Sequence, residues 1–302
     1  MEQRAWSRER NAKGFFITGT DTGVGKTVIT AALIKAIGLL GLKACGMKPI
    51  ETGCTKSEFR VQSSEFEVTD KFINNDLSKL SICHAGLDPA SSSSLDSRFR
   101  GNDNECGFID KPFDKRTELL PADGMFLKKM AGIDDSIDLI TPIRFESPLA
   151  PLPASEIEGR EIDLNKIRAA YSELSKKYDA VITEGIGGLL VPIKRDYFVL
   201  DLARDFGLPI IVVSRPGLGT LNHTLLTVNY AIKEGLDVAG IIINYSQPPE
   251  GTLAEGTNPE IIKQISPVPL IGIFPYLKDL KSSTIEKAVV KNLDIEIIKK
   301  YL

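Results

Sequence analysis

From Gly19 to Thr27 the chain reads Gly-Thr-Asp-Thr-Gly-Val-Gly-Lys-Thr, a run whose residue types suit the handling of phosphate. Glycines let successive backbone N–H groups turn inward around phosphate oxygens, and a helix N-terminus behind them adds positive potential. In such a loop Lys26 would neutralise the β- and γ-phosphates, and the Thr27 hydroxyl would reach a Mg²⁺ ion. Gly23, Val24, Gly25, Lys26, Thr27 and Val28 are therefore the expected nucleotide-binding run. The spacing is Gly, five residues, then Gly-Lys-Thr, one residue longer than the general pattern, and Thr20 stands where the first glycine usually does.

Three further stretches place chemistry at the ends of apolar runs. Lys48 opens Lys-Pro-Ile-Glu-Thr-Gly53 after a short apolar segment, where doubly wound folds put ligand contacts. Glu184 follows Asp179-Ala-Val-Ile-Thr and precedes Gly185, Ile186 and Gly187, so its carboxylate would reach Mg²⁺ beside the phosphate loop. Asn244 ends another apolar run; its amide pairs a donor with an acceptor and would read an adenine edge, with Pro275 flanking the base. Gly217-Leu-Gly-Thr-Leu-Asn-His223 opens a helix, which favours an anion. A plain capping role for Thr220 or Asn222 fits that segment equally well.

These side chains need a scaffold. Residues 14–19, short, apolar and closed by glycine, predict a buried strand. Residues 28–40 carry apolar side chains at helical spacing, and 43–48 form a second strand candidate stopped by Pro49. Further strands are expected at 180–183, 209–214, 238–244 and 269–273. Helices are expected at 123–132, closed by Gly132, at 163–178, capped by Asp163, at 198–206, 221–234 and 259–265, and near the C-terminus. The proline-rich stretch 141–153 reads as extended. Continuously apolar strands alternating with helices indicate an α/β fold: a doubly wound, mainly parallel sheet with helices on both faces.

Residues 56–118 break this regularity. They sustain neither strand nor helix period and include Ser91-Ser-Ser-Ser94 and Gly101-Asn-Asp-Asn104. Such a segment buries too little apolar surface to offset chain entropy. The piece 84–103 resembles peptides of unrelated bacterial proteins in which a palindromic genomic repeat is translated in frame. The expectation is a flexible leader at 1–12 and one P-loop domain over 13–302, interrupted by a disordered insertion at 56–118.

Composition narrows the function. The 302 residues hold 37 Lys and Arg against 40 Asp and Glu, a net charge of −3, which argues against a nucleic-acid partner. No apolar run approaches the roughly 18 residues of a membrane span, and the charged start lacks a secretion-signal core, so a cytoplasmic protein is expected. Cys45, Cys54, Cys83 and Cys106 form no C-x-x-C pair, which disfavours structural zinc. Two histidines, His84 and His223, and no G-x-S-x-G element leave little material for Ser-His-Asp catalysis.

The three motifs in this order, 19–27, 48–53 and 184–188, resemble the dethiobiotin synthetases of biotin biosynthesis. The resemblance runs from about residue 13 to 276, interrupted at 56–118. It implies a homodimeric P-loop α/β enzyme that makes dethiobiotin from 7,8-diaminononanoate, CO₂ and ATP with Mg²⁺. In that family the carbamate of one substrate amine attacks the γ-phosphorus, and the second amine closes the ring on the resulting anhydride. The resemblance makes Lys48 the catalytic lysine together with Lys26, and Asp123 a second metal-site acid beside Thr27 and Glu184. It assigns Thr22, Thr52, Gly219, Thr220 and Asn222 to the substrate, the last three reaching the neighbouring subunit's site. Two departures stand out: Gly23 replaces an acid that some members carry, and Tyr245 replaces a frequent aspartate. Alternatives are an amide-forming synthetase, a partition-type switch ATPase, for which Thr20, Asp21 and Thr22 lack the usual second lysine, and a catalytically decayed nucleotide-binding protein.

Overall fold

The computed structural model describes residues 13–59 and 116–302. The leader, and all but the ends of 56–118, lie outside the described residues, as does the expectation of disorder there. Two units are distinguished, Met1–Thr55 with Leu119–Leu302, and Lys56–Glu118; the central sheet belongs to the first.

In chain order the elements are β1 Gly14–Gly19, α1 Lys26–Leu39, β2 Ala44–Met47, β3 Ile50–Glu51, β4 Thr55–Phe59, β5 Arg116–Leu120, α2 Ala122–Ala131, α3 Ile137–Ile140, β6 Ile143–Arg144, α4 Pro151–Glu158, α5 Leu164–Lys177 and β7 Ala180–Glu184. They continue with β8 Pro192–Lys194, β9 Tyr197–Phe198, α6 Val199–Phe206, β10 Ile210–Ser214, α7 Thr220–Lys233, β11 Val238–Asn244, α8 Leu253–Ile265, β12 Leu270–Phe274, α9 Ser282–Asn292 and α10 Ile295–Lys299.

Six strands form one sheet in the order β12-β11-β10-β1-β7-β2, and every pairing is parallel. After β1 the chain fills one side of the sheet, through β2 and β7, and then the other, through β10, β11 and β12. The loop after β1 thus rises at the point where the strand order reverses, the place such sheets hold ligands.

The strand period of two decides which side chains meet which helices. Phe15 and Ile17 point to the face covered by α1, α2, α9 and α10, among Ile29, Leu33, Ile37, Leu127, Ile285 and Val289. Phe16 points to the opposite face, among Tyr171, Val199, Phe206 and Val228 of α5, α6 and α7. Tyr171 and Phe206 stack at 4.1 Å, an arrangement that adds roughly 0.5–1.5 kcal/mol to their area burial. α1 is apolar nearly all round because it is covered by the sheet on one side and by α2 and α9 on the other.

Two helices depart from the sequence expectations. α4 occupies 151–158, where extended chain was expected: Pro151 and Pro153 fall in its first turn, where no intrahelical N–H is required. α8 begins at Leu253 rather than Pro259, because Thr252 and Glu255 form a capping box upstream and Pro259 is carried inside the helix. The two- and three-residue strands β3, β6, β8 and β9 are too brief to show a period, and β4 and β5, polar strands at the ends of 56–118, stand where no strand was expected. Among the described residues no helix is long and apolar enough to cross a membrane.

Candidate active site

The loop between β1 and α1 is shaped by glycine. Gly23 and Gly25 have φ of 76° and 85°, a region that side chains disfavour. A Cβ on Gly25 would also lie 2.1 Å from Asn244 Nδ2. Gly25 caps α1 without a side-chain bond, and no acid stands in the first turn, so the helix N-terminus is left to an incoming anion. Lys26 folds across this loop, its Nζ donating to the Asp21 carbonyl at 3.1 Å. Burial, reinforced by the charge of Lys48, lowers the Lys26 pKa to about 8.

Neighbouring strand ends brace the loop. Gly19 N donates to Gly187 O at 3.2 Å, Thr20 N to Val213 O at 3.0 Å, and Gly185 N to Ile17 O at 2.9 Å. The close approach explains the glycine run after Glu184: a Cβ on Gly185 would meet Phe16 and Val199 at 3.0 and 3.1 Å. Gly185, Ile186 and Gly187 accordingly lie against the phosphate loop, and Thr22 N is held by Asp21 Oδ1 at 2.7 Å.

Lys48 follows β2 and is 4% exposed. Its Nζ lies 2.5 Å from Glu184 Oε1 and 3.1 Å from Asp123 Oδ2. Burial works against its charge, but Glu184 and Asp123, helped by Glu51, outweigh that and hold the ammonium well above the usual lysine range. Glu184 ends β7 and is equally hidden; burial pushes its carboxyl up against the pull of Lys48. Thr27 Oγ1 donates to Glu184 Oε1 at 2.9 Å, while Glu184 Oε2 is buried with no hydrogen-bond partner. Lys26, Thr27, Lys48, Asp123 and Glu184, drawn from four segments, thus converge beside the phosphate loop.

An unpartnered buried carboxylate oxygen next to a threonine hydroxyl and a second acid is a donor set that fits Mg²⁺. Among the described residues no group of three or more His, Cys, Asp or Glu forms a metal cage. Mg²⁺ takes one or two carboxylates and fills its other positions from phosphates and water.

Glu51 was missed by sequence reasoning. It is 5% exposed, and its Oε1 and Oε2 accept from Asp123 N and Gly124 N, both at 3.0 Å. Burial, then the nearby Asp123 carboxylate, raises its pKa to about 7. The one available signal was an acid inside the Lys-Pro-Ile-Glu-Thr-Gly53 stretch; its partners are backbone groups, which no motif displays.

The remaining expected residues divide. Asn244, at the end of β11, donates from Nδ2 to Val24 O at 2.8 Å and so clamps the phosphate loop. Pro275 follows β12 at the same sheet end, where Tyr245 N donates to Phe274 O. Val28 lies in the first turn of α1, and Thr52 follows β3 close to Lys48 in sequence. Gly219 caps α7 with φ 90° and no side-chain bond, so neither Thr220 nor Asn222 is the cap. Thr220 is buried, its hydroxyl 3.3 Å from that of Thr224. Asn258 holds the preceding loop by donating to Pro216 O and Gly217 O, and Arg215 pairs with Asp21 at 2.6 Å. Among the described residues no hydrogen bond joins Gly219, Thr220 or Asn222 to the Lys48 cluster of the same chain.

An AAA domain family model matches residues 13–97 and 108–284. The ATP-dependent dethiobiotin synthetase BioD of Thermodesulfovibrio yellowstonii is 41% identical over 292 residues, covering 94% of this chain and 98% of that protein. The enzyme of the same name from Aquifex aeolicus is 35% identical over 260 residues, covering 86% of each chain. That from Bacillus subtilis strain 168 is 31% identical over 287 residues, covering 95% of this chain and 97% of its own. With an AAA domain matched over most of its length and relatives aligned almost end to end, the chain belongs to the ATP-dependent dethiobiotin synthetase family.

Proposed function

We propose that the protein is a cyclo-ligase that closes the ureido ring of dethiobiotin from 7,8-diaminononanoate, CO₂ and ATP. The observation that carries this is Lys48, a buried ammonium held between Glu184 and Asp123 at the mouth of a phosphate loop. Phosphoryl transfer asks for positioning and cationic stabilisation more than covalent help. Lys26 and the N–H groups of Gly23–Thr27 bind the triphosphate, and Lys26 exchanges the Asp21 carbonyl for phosphate oxygens. Lys48 orients the substrate carbamate and offsets charge on the transferring group. Asn244 and Pro275 hold the base, while Thr22 and Thr52 receive the substrate.

Thr27, Asp123 and Glu184 would hold Mg²⁺, which when bound neutralises charge on the β- and γ-phosphates. Gly219, Thr220 and Asn222, apart from this cluster within one chain, serve the partner subunit's site in a homodimer. Exposed Leu218, Leu226, Ile157 and Leu190 supply apolar surface for such an assembly. One P-loop domain carries all of these residues, residues 56–118 interrupt it without contributing to the chemistry, and the enzyme works in the cytoplasm. A switch ATPase is the weaker reading, since it gives no task to the Lys48–Glu184–Asp123 cluster.

The test supplies diaminononanoate, labelled bicarbonate and Mg-ATP and counts acid-stable labelled product. Native protein should form it, and Lys48→Ala should abolish it while ATP binding persists. Removing one partner of a buried ion pair costs roughly 3–5 kcal/mol, so a melting curve accompanies the variant. No product from native protein that binds ATP would overturn the ligase reading; unchanged turnover in Lys48→Ala would overturn the role of Lys48.

A further inference from the structure

We propose that Glu51 is the positioning residue for Asp123, its two carboxylate oxygens clamping the first turn of α2 so that the Asp123 side chain faces Lys48. The inference rests on the reading above that Asp123 serves Mg²⁺.

α2 starts after Pro121, which has no side-chain acceptor, so the helix has no local cap. The N–H groups of Asp123 and Gly124 are the donors an N-cap side chain would normally satisfy. Glu51 takes both, from 72 and 73 residues away in sequence. Gly124 seats the other side of this turn: a Cβ there would lie 2.0 Å from Thr141 Oγ1, leaving no room for a larger residue. With its backbone fixed by Glu51 and its neighbour wedged against Thr141, Asp123 reaches Lys48 at 3.1 Å.

One short stretch therefore holds Asp123 twice, Lys48 by its side chain and Glu51 by its backbone. Both oxygens of Glu51 matter for this task, since each accepts one N–H. Two N–H donors at a helix start favour a carboxylate, whereas an amide offers one acceptor and sets its own NH₂ against the second donor. A clamp of this kind acts on the metal through the ligand it orients, and losing such a partner typically weakens metal affinity 10–100-fold.

The experiment compares the native full-length chain with Glu51→Gln, Asp123→Asn, and Glu51→Gln combined with Pro121→Asp, which gives α2 a local cap. ATP affinity is measured by calorimetry in EDTA, Mn²⁺ affinity of the ATP-loaded protein by electron paramagnetic resonance, and folding by melting temperature. Glu51→Gln should keep metal-free ATP affinity within about twofold and lose about tenfold or more in Mn²⁺ affinity. Asp123→Asn should lose at least as much, and Pro121→Asp should restore most of the Glu51→Gln loss.

Native Mn²⁺ affinity in Glu51→Gln, with Asp123→Asn weakened, would overturn the proposal alone. So would a parallel fall of metal-free ATP affinity and melting temperature, the mark of a merely structural carboxylate. Should Glu51→Gln fail to fold, the locally capped variant carries the test, and a tenfold Mn²⁺ loss persisting in it would overturn a role through α2. Native Mn²⁺ affinity in Asp123→Asn would overturn the reading of Asp123 itself, and the proposal with it.

Discussion

Lys48 keeps its charge in a buried place because acids outnumber ammonium groups around it. Glu184, Asp123 and Glu51 face Lys48 and Lys26, three acids against two ammonium groups. The same arithmetic makes Thr27 more than a loop residue, since its hydroxyl holds Glu184 Oε1 at 2.9 Å and leaves Oε2 free. Thr27→Val removes that donor from a buried carboxylate, and about 1–3 kcal/mol of stability should be lost in a melting experiment. Its Mg²⁺ requirement for turnover should rise about tenfold while ATP binding in EDTA changes little. Gly25→Ala should behave differently. A side chain at φ 85° meeting Asn244 Nδ2 at 2.1 Å strains the loop itself, so ATP affinity should fall with and without Mg²⁺. Lys26, Thr27, Lys48 and Glu184 could be named from the sequence because each is a side chain in a motif, and Asp123 only through the family resemblance. Glu51 and the clamp of Asn244 on Val24 O could not, because each acts on backbone.

Elements were legible where a local rule and tertiary packing agree. β1, β7, β10 and β11 match their apolar runs because both faces of the sheet are covered. α5 begins after Asp163, as its residue type predicts, with Asp163 Oδ1 accepting from Asn165 N and Lys166 N. Asp163→Ala should therefore cost about 1 kcal/mol in denaturant unfolding. α4 and α8 were misjudged because proline was weighed above the signals around it. Asp135, before α3, shows an element-level pH dependence. It accepts from Lys177 at 2.8 Å and from the Tyr178 hydroxyl, and these bonds hold its carboxyl below the usual aspartate value. A depressed carboxylate contributes stability that is full above its unfolded value near 4 and is lost as pH falls through the lower folded value. Asp135→Asn should therefore lower stability at pH 7, and the difference from native protein should shrink below pH 4. A constant difference across that range would refute the assignment.

At the scale of the whole molecule, the question is what residues 56–118 contribute. Every residue given a role in the site lies outside them, and β4 and β5, through which the chain leaves and returns, pair with each other in a separate two-stranded sheet. A short connection between those strands would thus preserve the path of the chain at Thr55 and Leu119, on which the approach of Asp123 to Lys48 depends. Replacing residues 60–115, 56 residues, with about six Gly and Ser residues shortens the closed loop by roughly three doublings. At about 0.6 kcal/mol each, the folded state should gain up to about 2 kcal/mol. Turnover should stay within about twofold of native, and proteolytic cutting within 80–110 should likewise leave it intact. A shortened chain that binds ATP and melts normally but forms no dethiobiotin would instead make the segment part of the catalytic machinery. Its position in the chain between the Lys48 stretch and Asp123, which Glu51 and Lys48 bridge by side-chain contacts, would then be the reason.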